Sequence, residues 1–459
     1  MNAGLGRSAV IAVGIGYLVA ITWAMSSVAY DIWGVMIVVP PMTVVTLIGV
    51  RRAFANDLRP LVVPMLCGYL LKLGGSAARY WVAFDVYGGS ADAGRYHDYG
   101  RLMAGRVWSG ENNLGSVLPG GTGTQFVERF TSLVYTAIGS SKLTGFVVFG
   151  WFGFWGIVLF VKAACIAVPG LAQRRYAYLC AIAPSLVYWP SSIGKEALML
   201  CSLGIATYGI ARLLTRAGFL TPLIISAIGV TGAALIRPHI AGVWLAGAFP
   251  ALLVALGRAL SRDQRQARRG VEVLMLISVV AFAAVALVIV GQFALRYLKP
   301  GDDQASLTQG ITAILEETTR RSDQGGSNFA PPVVSGPQDW PLAVVRTLTR
   351  PLLYEARGLF QLLLALELSA LIALCALSWR RVLAIPRSIL TVPYVAFAMT
   401  SLFVAGLAYS SFANLGILTR QKSLVFPLLL LIPCLPLPTP THIDDPLDAE
   451  PERELATVR

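Results

Sequence analysis

The stretch LTGFVVFGWFGFWGIVLFVKAACIAV (143–168) governs how the rest of the chain is read. It carries a single charge, Lys162, close to one end. A helix rises about 1.5 Å per residue, so about 20 apolar residues cross a hydrocarbon core of about 30 Å. The run is long enough to span, and Lys162 sits where its amine can snorkel to the headgroups. Comparable runs lie on both sides, at 8–28, 33–50, 60–78, 176–191, 197–213, 218–236, 239–257, 271–296, 357–378, 388–409 and 423–438. The run at 8–28 is longer than a signal-peptide core and is read as a retained span.

With 56% hydrophobic and 13% charged residues, the chain does not have the composition of a soluble globular domain. The expected fold is all-α, a polytopic integral membrane helical bundle of about twelve transmembrane helices over residues 1–438. The loops 79–142 and 297–356 are expected to form an external cap of short interfacial helices, one of them around Leu342–Val345 with Arg346 and Arg350 on one side. The segment 439–459 sets Pro440, Pro446 and Pro451 among acidic residues and reads as a disordered cytoplasmic tail.

The net charge of +13 is spread between apolar runs and forms no single stripe, so no nucleic-acid partner is expected. Loops 51–59, 170–175, 212–217, 257–270 and 379–387 are rich in arginine, with only Asp57 and Asp263 as acidic partners. The positive-inside bias makes these five loops cytoplasmic, and alternation then places both termini in the cytoplasm of a multi-pass plasma-membrane protein. The six cysteines fall inside predicted spans without zinc or redox spacing and read as small apolar fillers. Walker, GxGxxG, HExxH and paired CxxC motifs are absent, which leaves nucleotide-driven and zinc chemistry without support.

Charge on the other side of this topology needs a reason. The loop after the third run carries Asp85, Asp92, Tyr96, His97 and Tyr99, with Asp92, Tyr96 and Tyr99 on one helical face. This density of ionisable and aromatic groups suits a polar, ring-shaped ligand such as a sugar, although Asp92 also stands where a helix N-cap would. In Pro184–Glu196, Pro184, Pro190 and Gly194 break an apolar run beside Trp189, Lys195 and Glu196. A freed helix N-terminus next to a lysine suits phosphate; a Lys195–Glu196 interfacial pair is the plainer alternative. Arg237 and His239 flank Pro238 in a turn that is almost absent, and Asn414, Arg420 and Lys422 precede the last run. A guanidinium held there prefers phosphate or carboxylate, or snorkels to lipid headgroups. Glu367, mid-run, either pairs with a polar neighbour or takes part in proton movement.

The blocks DAGRYHDYG (92–100), GTGTQFVERFTSLVYTAIG (121–139), PSLVYWPSSIGKEALM (184–199), IRPHIA (236–241) and NLGILTRQK (414–422) resemble a family of actinobacterial multi-span membrane proteins of cell-envelope polysaccharide assembly. More remotely, many spans, an acidic external loop and external basic groups are similar to GT-C-type membrane glycosyltransferases, which use polyprenyl-phosphate sugars at the outer face. In those enzymes the acidic motif follows the first span. Here that loop holds only Asp31, and the long acidic loop follows the third run.

The leading expectation is a membrane glycosyltransferase or polymerase acting on a polyprenyl-phosphate-linked sugar and a glycan acceptor. Asp92 or Asp85 would be the catalytic base. Lys195, Glu196, Arg237, His239, Asn414, Arg420 and Lys422 would line the phosphate and substrate site, with Tyr96, His97 and Trp189 against sugar or lipid. A divalent metal, Mg or Mn, on Asp85 and Asp92 is a further option that their spacing does not decide. A transporter or flippase of a lipid-linked glycan, and a non-catalytic subunit among envelope-synthesis proteins, are the competing classes.

Overall fold

A computed structural model describes residues 2–89, 92–215, 218–260, 329–332, 334–356 and 358–437, with isolated positions between 277 and 322. The expected span at 271–296, the loop 257–270 beyond residue 260, most of 297–328 and the tail 439–459 lie outside the described residues. Every regular element among the described residues is helical. In chain order they include α1 (Asn2–Ser27), α2 (Val35–Ala53), α3 (Val62–Trp81), α4 (Asp92–Trp108), α5 (Thr124–Ile138), α6 (Lys142–Ala167), α7 (Gln173–Ile182), α8 (Pro184–Tyr188), α9 (Lys195–Leu214), α10 (Leu220–Ile236), α11 (Pro238–Leu260), α12 (Trp340–Thr349), α13 (Leu359–Leu377), α14 (Ile385–Thr391), α15 (Pro393–Tyr409), α16 (Leu415–Lys422) and α17 (Phe426–Leu431).

Among the described residues, five helical stretches are long and apolar enough to cross a membrane: Tyr30–Ala53, Asn56–Val86, Lys142–Ala167, Lys195–Leu214 and Pro238–Arg258. Two bent pairs raise the number to at most seven, and Gly14–Ser27, Leu220–Ile236 and Gln361–Leu377 are shorter apolar helices. This is fewer than twelve, and the runs that differ show why. The run 176–191 is split between α7 and α8, because Pro184 brings no backbone N–H and Ala183 before it turns to ψ 117°. The run 388–409 is folded back by 119° at Val392, whose extended backbone precedes Pro393. The last run yields only α17 and a 3-10 turn, bent by 62° from α16.

The interior is built around α6, which packs on α3, α7 and α9, while α9 packs on α10, and α11 on α15. Glycines allow the closest approach. A Cβ on Gly156 of α6 would lie 2.3 Å from the Leu200 carbonyl oxygen, and one on Gly204 of α9 would lie 2.5 Å from the Gly156 oxygen. The two helices therefore meet backbone to backbone, as small-residue seams permit. Outward faces stay apolar: Ile37, Val44, Val45 and Ile48 of α2, Ile224 and Ile228 of α10, and Leu362, Leu363 and Leu366 of α13 are all exposed.

The segment 79–142 is mostly helical and not an open loop. A π-turn Val82–Val86 continues α3, and α4 packs against α5. At its far end, Lys142 begins α6 and is held to Asp31 by both its backbone N–H (3.0 Å) and its amine (3.4 Å). In the described part of 297–356, α12 carries Arg346 as expected, and Ala343, Val344 and Thr347 form its buried face.

Candidate functional site

Four helix ends, far apart in sequence, meet at one carboxylate. Glu196 lies in the first turn of α9, only 3% exposed. Its Oε1 accepts from Arg237 Nη2 at 2.8 Å and lies 2.6 Å from Arg420 Nε. Arg237 ends α10 in extended backbone immediately before Pro238 opens α11, so the near-absent turn delivers the guanidinium straight to the α9 terminus. Its Nη1 donates to Gln421 Oε1 at 2.9 Å. Arg420 comes from α16, whose first turn is capped by the Asn414 side chain accepting from Ile417 N–H at 3.1 Å. Arg420 Nη1 and Nη2 both reach Asp92 Oδ2 at 3.3 Å, at the head of α4.

The two halves of this arrangement differ in kind. The Glu196 contacts are short and buried, whereas the Asp92 side chain is 61% exposed and its contacts to Arg420 are long. An exposed pair of that geometry is weak and readily exchanged for another anion. Lys195, half-buried, donates to Thr124 Oγ1 at 3.1 Å. Thr124 is brought there because Gly123 N–H donates to the Leu235 carbonyl at 2.7 Å, which fastens the start of α5 to the end of α10. Three cations thus face two carboxylates, an excess of one positive charge.

Among the remaining sequence-predicted residues, Tyr96 lies beneath Asp92 at 2% exposure, so its ring offers no open face to a sugar. Burial, reinforced by the Asp92 carboxylate, pushes its phenol up to about 12, leaving it a hydrogen-bond donor. His97 is also buried, with Nδ1 2.8 Å from the Tyr135 hydroxyl, and burial lowers its pKa. It supports the α4–α5 contact and does not reach the charge cluster. Asp85 is exposed on the π-turn. Among the described residues, no group of three His, Cys, Asp or Glu side chains is placed to hold a metal ion, and Asp92 is paired loosely with Arg420.

His239, exposed, begins α11 beside Arg237. Lys422 turns the other way: buried, it donates to the carbonyls of Leu348 and Arg350 where α12 ends. There it acts on the negative end of a helix. Glu367 finds a polar neighbour, as one of its two readings had it. Its Oε1 accepts from the Ser185 N–H at 3.0 Å, and the Ser185 hydroxyl donates to Oε2, so the carboxylate caps α8.

Trp189 is buried and stacks near Arg79, a residue the sequence reading passed over together with Lys72. Both stand on α3, seven residues apart and so on one face. Lys72, 2% exposed, donates to the Leu186 carbonyl at 2.6 Å. Its signal was available, since a lysine inside an apolar run is a functional pointer by itself. Gln421 carried no such signal. No family model, curated protein or solved structure matches this chain.

Proposed function

We propose that this chain is a polytopic plasma-membrane glycosyltransferase that takes sugar from a polyprenyl-phosphate donor at the outer face and passes it to a glycan acceptor of the cell envelope. The observation that supports this best is the convergence of Asp92, Lys195, Glu196, Arg237 and Arg420, an anion-binding cluster with one accessible carboxylate. A sugar phosphodiester brings one negative charge, and the polyprenyl phosphate that leaves bears two. The acceptor hydroxyl oxygen attacks the anomeric carbon, the bond from that carbon to the phosphate oxygen breaks, and its electron pair stays on phosphate. Arg237, Arg420 and Lys195 stabilise the added charge as it develops. The acceptor proton passes to Asp92.

The weak tie between Asp92 and Arg420 has a role in this scheme. Phosphate competes with Asp92 for Arg420, and the carboxylate it displaces is free to act as the base. Arg237→Ala or Lys195→Ala should weaken donor binding by about 1.5–3 kcal/mol for a lost charge-assisted hydrogen bond. Turnover should fall as well. The measurement is donor binding and product formation by purified protein in lipid discs; unchanged binding in both variants would remove the cluster from phosphate recognition.

The apolar faces of α2, α10 and α13 support a bilayer setting, with basic loops inside and the charge cluster outside. Single cysteines placed at Asp57, in the first turn of the stretch Asn56–Val86, and at Ser109, past its other end, are both at exposed positions. In a background without native cysteines, an impermeant thiol reagent applied to intact cells should label position 109 and spare 57. Equal labelling would overturn the orientation.

The bends of 119° and 62° favour a second reading, a transporter or flippase of a lipid-linked glycan, since broken helices line substrate paths in such proteins. That reading has no need of a base at Asp92.

A further inference from the structure

Arg79 stands near the end of α3 without an acid. Among the described residues no carboxylate lies within salt-bridge distance of it, whereas Arg237 and Arg420 of the neighbouring cluster share Glu196. Its guanidinium carbon lies 4.8 Å from the Tyr188 ring centroid and 5.2 Å from that of Trp189. Aromatic faces hold a cation in place but accept few of its five N–H donors. Those donors reach only the Tyr188 hydroxyl at 3.4 Å and Ser192 Oγ at 3.5 Å, both at the limit of a hydrogen bond. Nε is buried and finds no acceptor among the described residues. A half-buried cation, held against two aromatic rings and left with unused donors, is arranged for an anion that arrives from outside.

The place of Arg79 says which anion. Ser192 and Glu196 flank Gly194: a Cβ there would lie 3.8 Å from Ser192 Oγ and 3.5 Å from Glu196 Oε2. Arg79 and the Arg237–Arg420 pair therefore adjoin one short turn segment, Pro190–Gly194. Leu70, Leu71 and Trp81, on the same helix α3 as Arg79, are exposed apolar side chains that a hydrocarbon chain lying along this helix can meet. Lys72 does not compete for the ligand, because its amine is buried and engaged by the Leu186 carbonyl.

We infer that Arg79, framed by Tyr188 and Trp189 and backed by Ser192, is a second phosphate subsite that holds the phosphate of a lipid-linked acceptor beside the donor. The identity of this ligand as an acceptor rests on the glycosyl-transfer reading; the existence of the subsite does not. The reaction class is then polymerisation or extension of a glycan that is itself carried on a lipid phosphate.

The test counts bound equivalents of a short-chain polyprenyl monophosphate by native mass spectrometry, with protein in zwitterionic lipid discs. Wild type should bind two. Arg79→Gln should lose one, its affinity falling at least about tenfold, while Arg79→Lys retains part of it and Arg237→Ala loses the other. A single equivalent in wild type overturns the subsite whether or not the variants fold, as does an unchanged second equivalent in folded Arg79→Gln. Inorganic phosphate filling the Arg79-dependent site as tightly as the lipid phosphate would make the ligand a free anion and overturn the lipid-linked acceptor. Persistence of both equivalents in a protein that transfers no sugar would defeat the glycosyl-transfer reading and leave the subsite standing; transfer with one equivalent would do the reverse.

Discussion

Asp92→Asn is expected to lower product formation by about 10²–10⁴-fold, the usual contribution of a general base, without weakening the binding of polyprenyl phosphate. The asparagine keeps the shape and one hydrogen-bond acceptor but takes no proton, so the loss falls on the transition state. The structure adds a sign to the binding half. Asp92 occupies Arg420 Nη1 and Nη2 at 3.3 Å, the same donors a phosphate would use. Removing its charge removes a competitor, so the variant should bind lipid phosphate as tightly as wild type or more tightly. Binding and turnover measured on the same preparation in lipid discs check both halves. Full product formation would remove Asp92 as the base, whereas weaker binding would show that Asp92 does not compete with phosphate.

Glu196→Gln should have the second large effect, and of a different kind. One oxygen of this side chain, which is 3% exposed, answers two guanidinium groups at 2.8 and 2.6 Å. Deleting one partner of a buried ion pair leaves uncompensated charge and typically costs about 3–5 kcal/mol. Thermal unfolding of the variant should therefore shift clearly downward, and a double-mutant cycle with Arg237→Ala should show strong coupling. Inorganic phosphate or lipid phosphate should restore much of the lost stability, because it supplies the missing negative charge. A variant as stable as wild type, or one indifferent to phosphate, would mean that Glu196 does not hold the cluster together.

Much of this cluster was legible as misplaced charge. Lys195, Glu196, Arg237 and Arg420 stood out because apolar runs on either side made a charged residue conspicuous, and Asp92 because ionisable and aromatic groups crowd its loop. Their pairing was not legible, since it depends on α9, α10, α16 and α4 meeting at one end, and no local pattern encodes that. Arg420 and Lys422 looked equivalent in the loop. On a helix, two residues apart is about 200° of rotation, so one faces Glu196 and the other faces the end of α12. Among the described residues, apolar runs and spanning helices part ways for a similar reason. Hydropathy is blind to direction: 388–409 is apolar throughout, yet the chain turns back at Val392–Pro393. Arg79 was missed because its partners, Tyr188 and Trp189, are aromatic rings on a segment more than 100 residues away.

The seam between Gly156 and Gly204 constrains how such a sequence can drift. The smallest step open to a glycine in a helix is one methyl group, and on either residue it would fall within 2.7 Å of facing backbone. Neighbouring positions can exchange one apolar residue for another and repack; these two have no cheaper substitute. The depth at which α9 presents Glu196 is thus inherited from two bare backbones, and a lineage that kept the carboxylate but lost either glycine would have to find its register again.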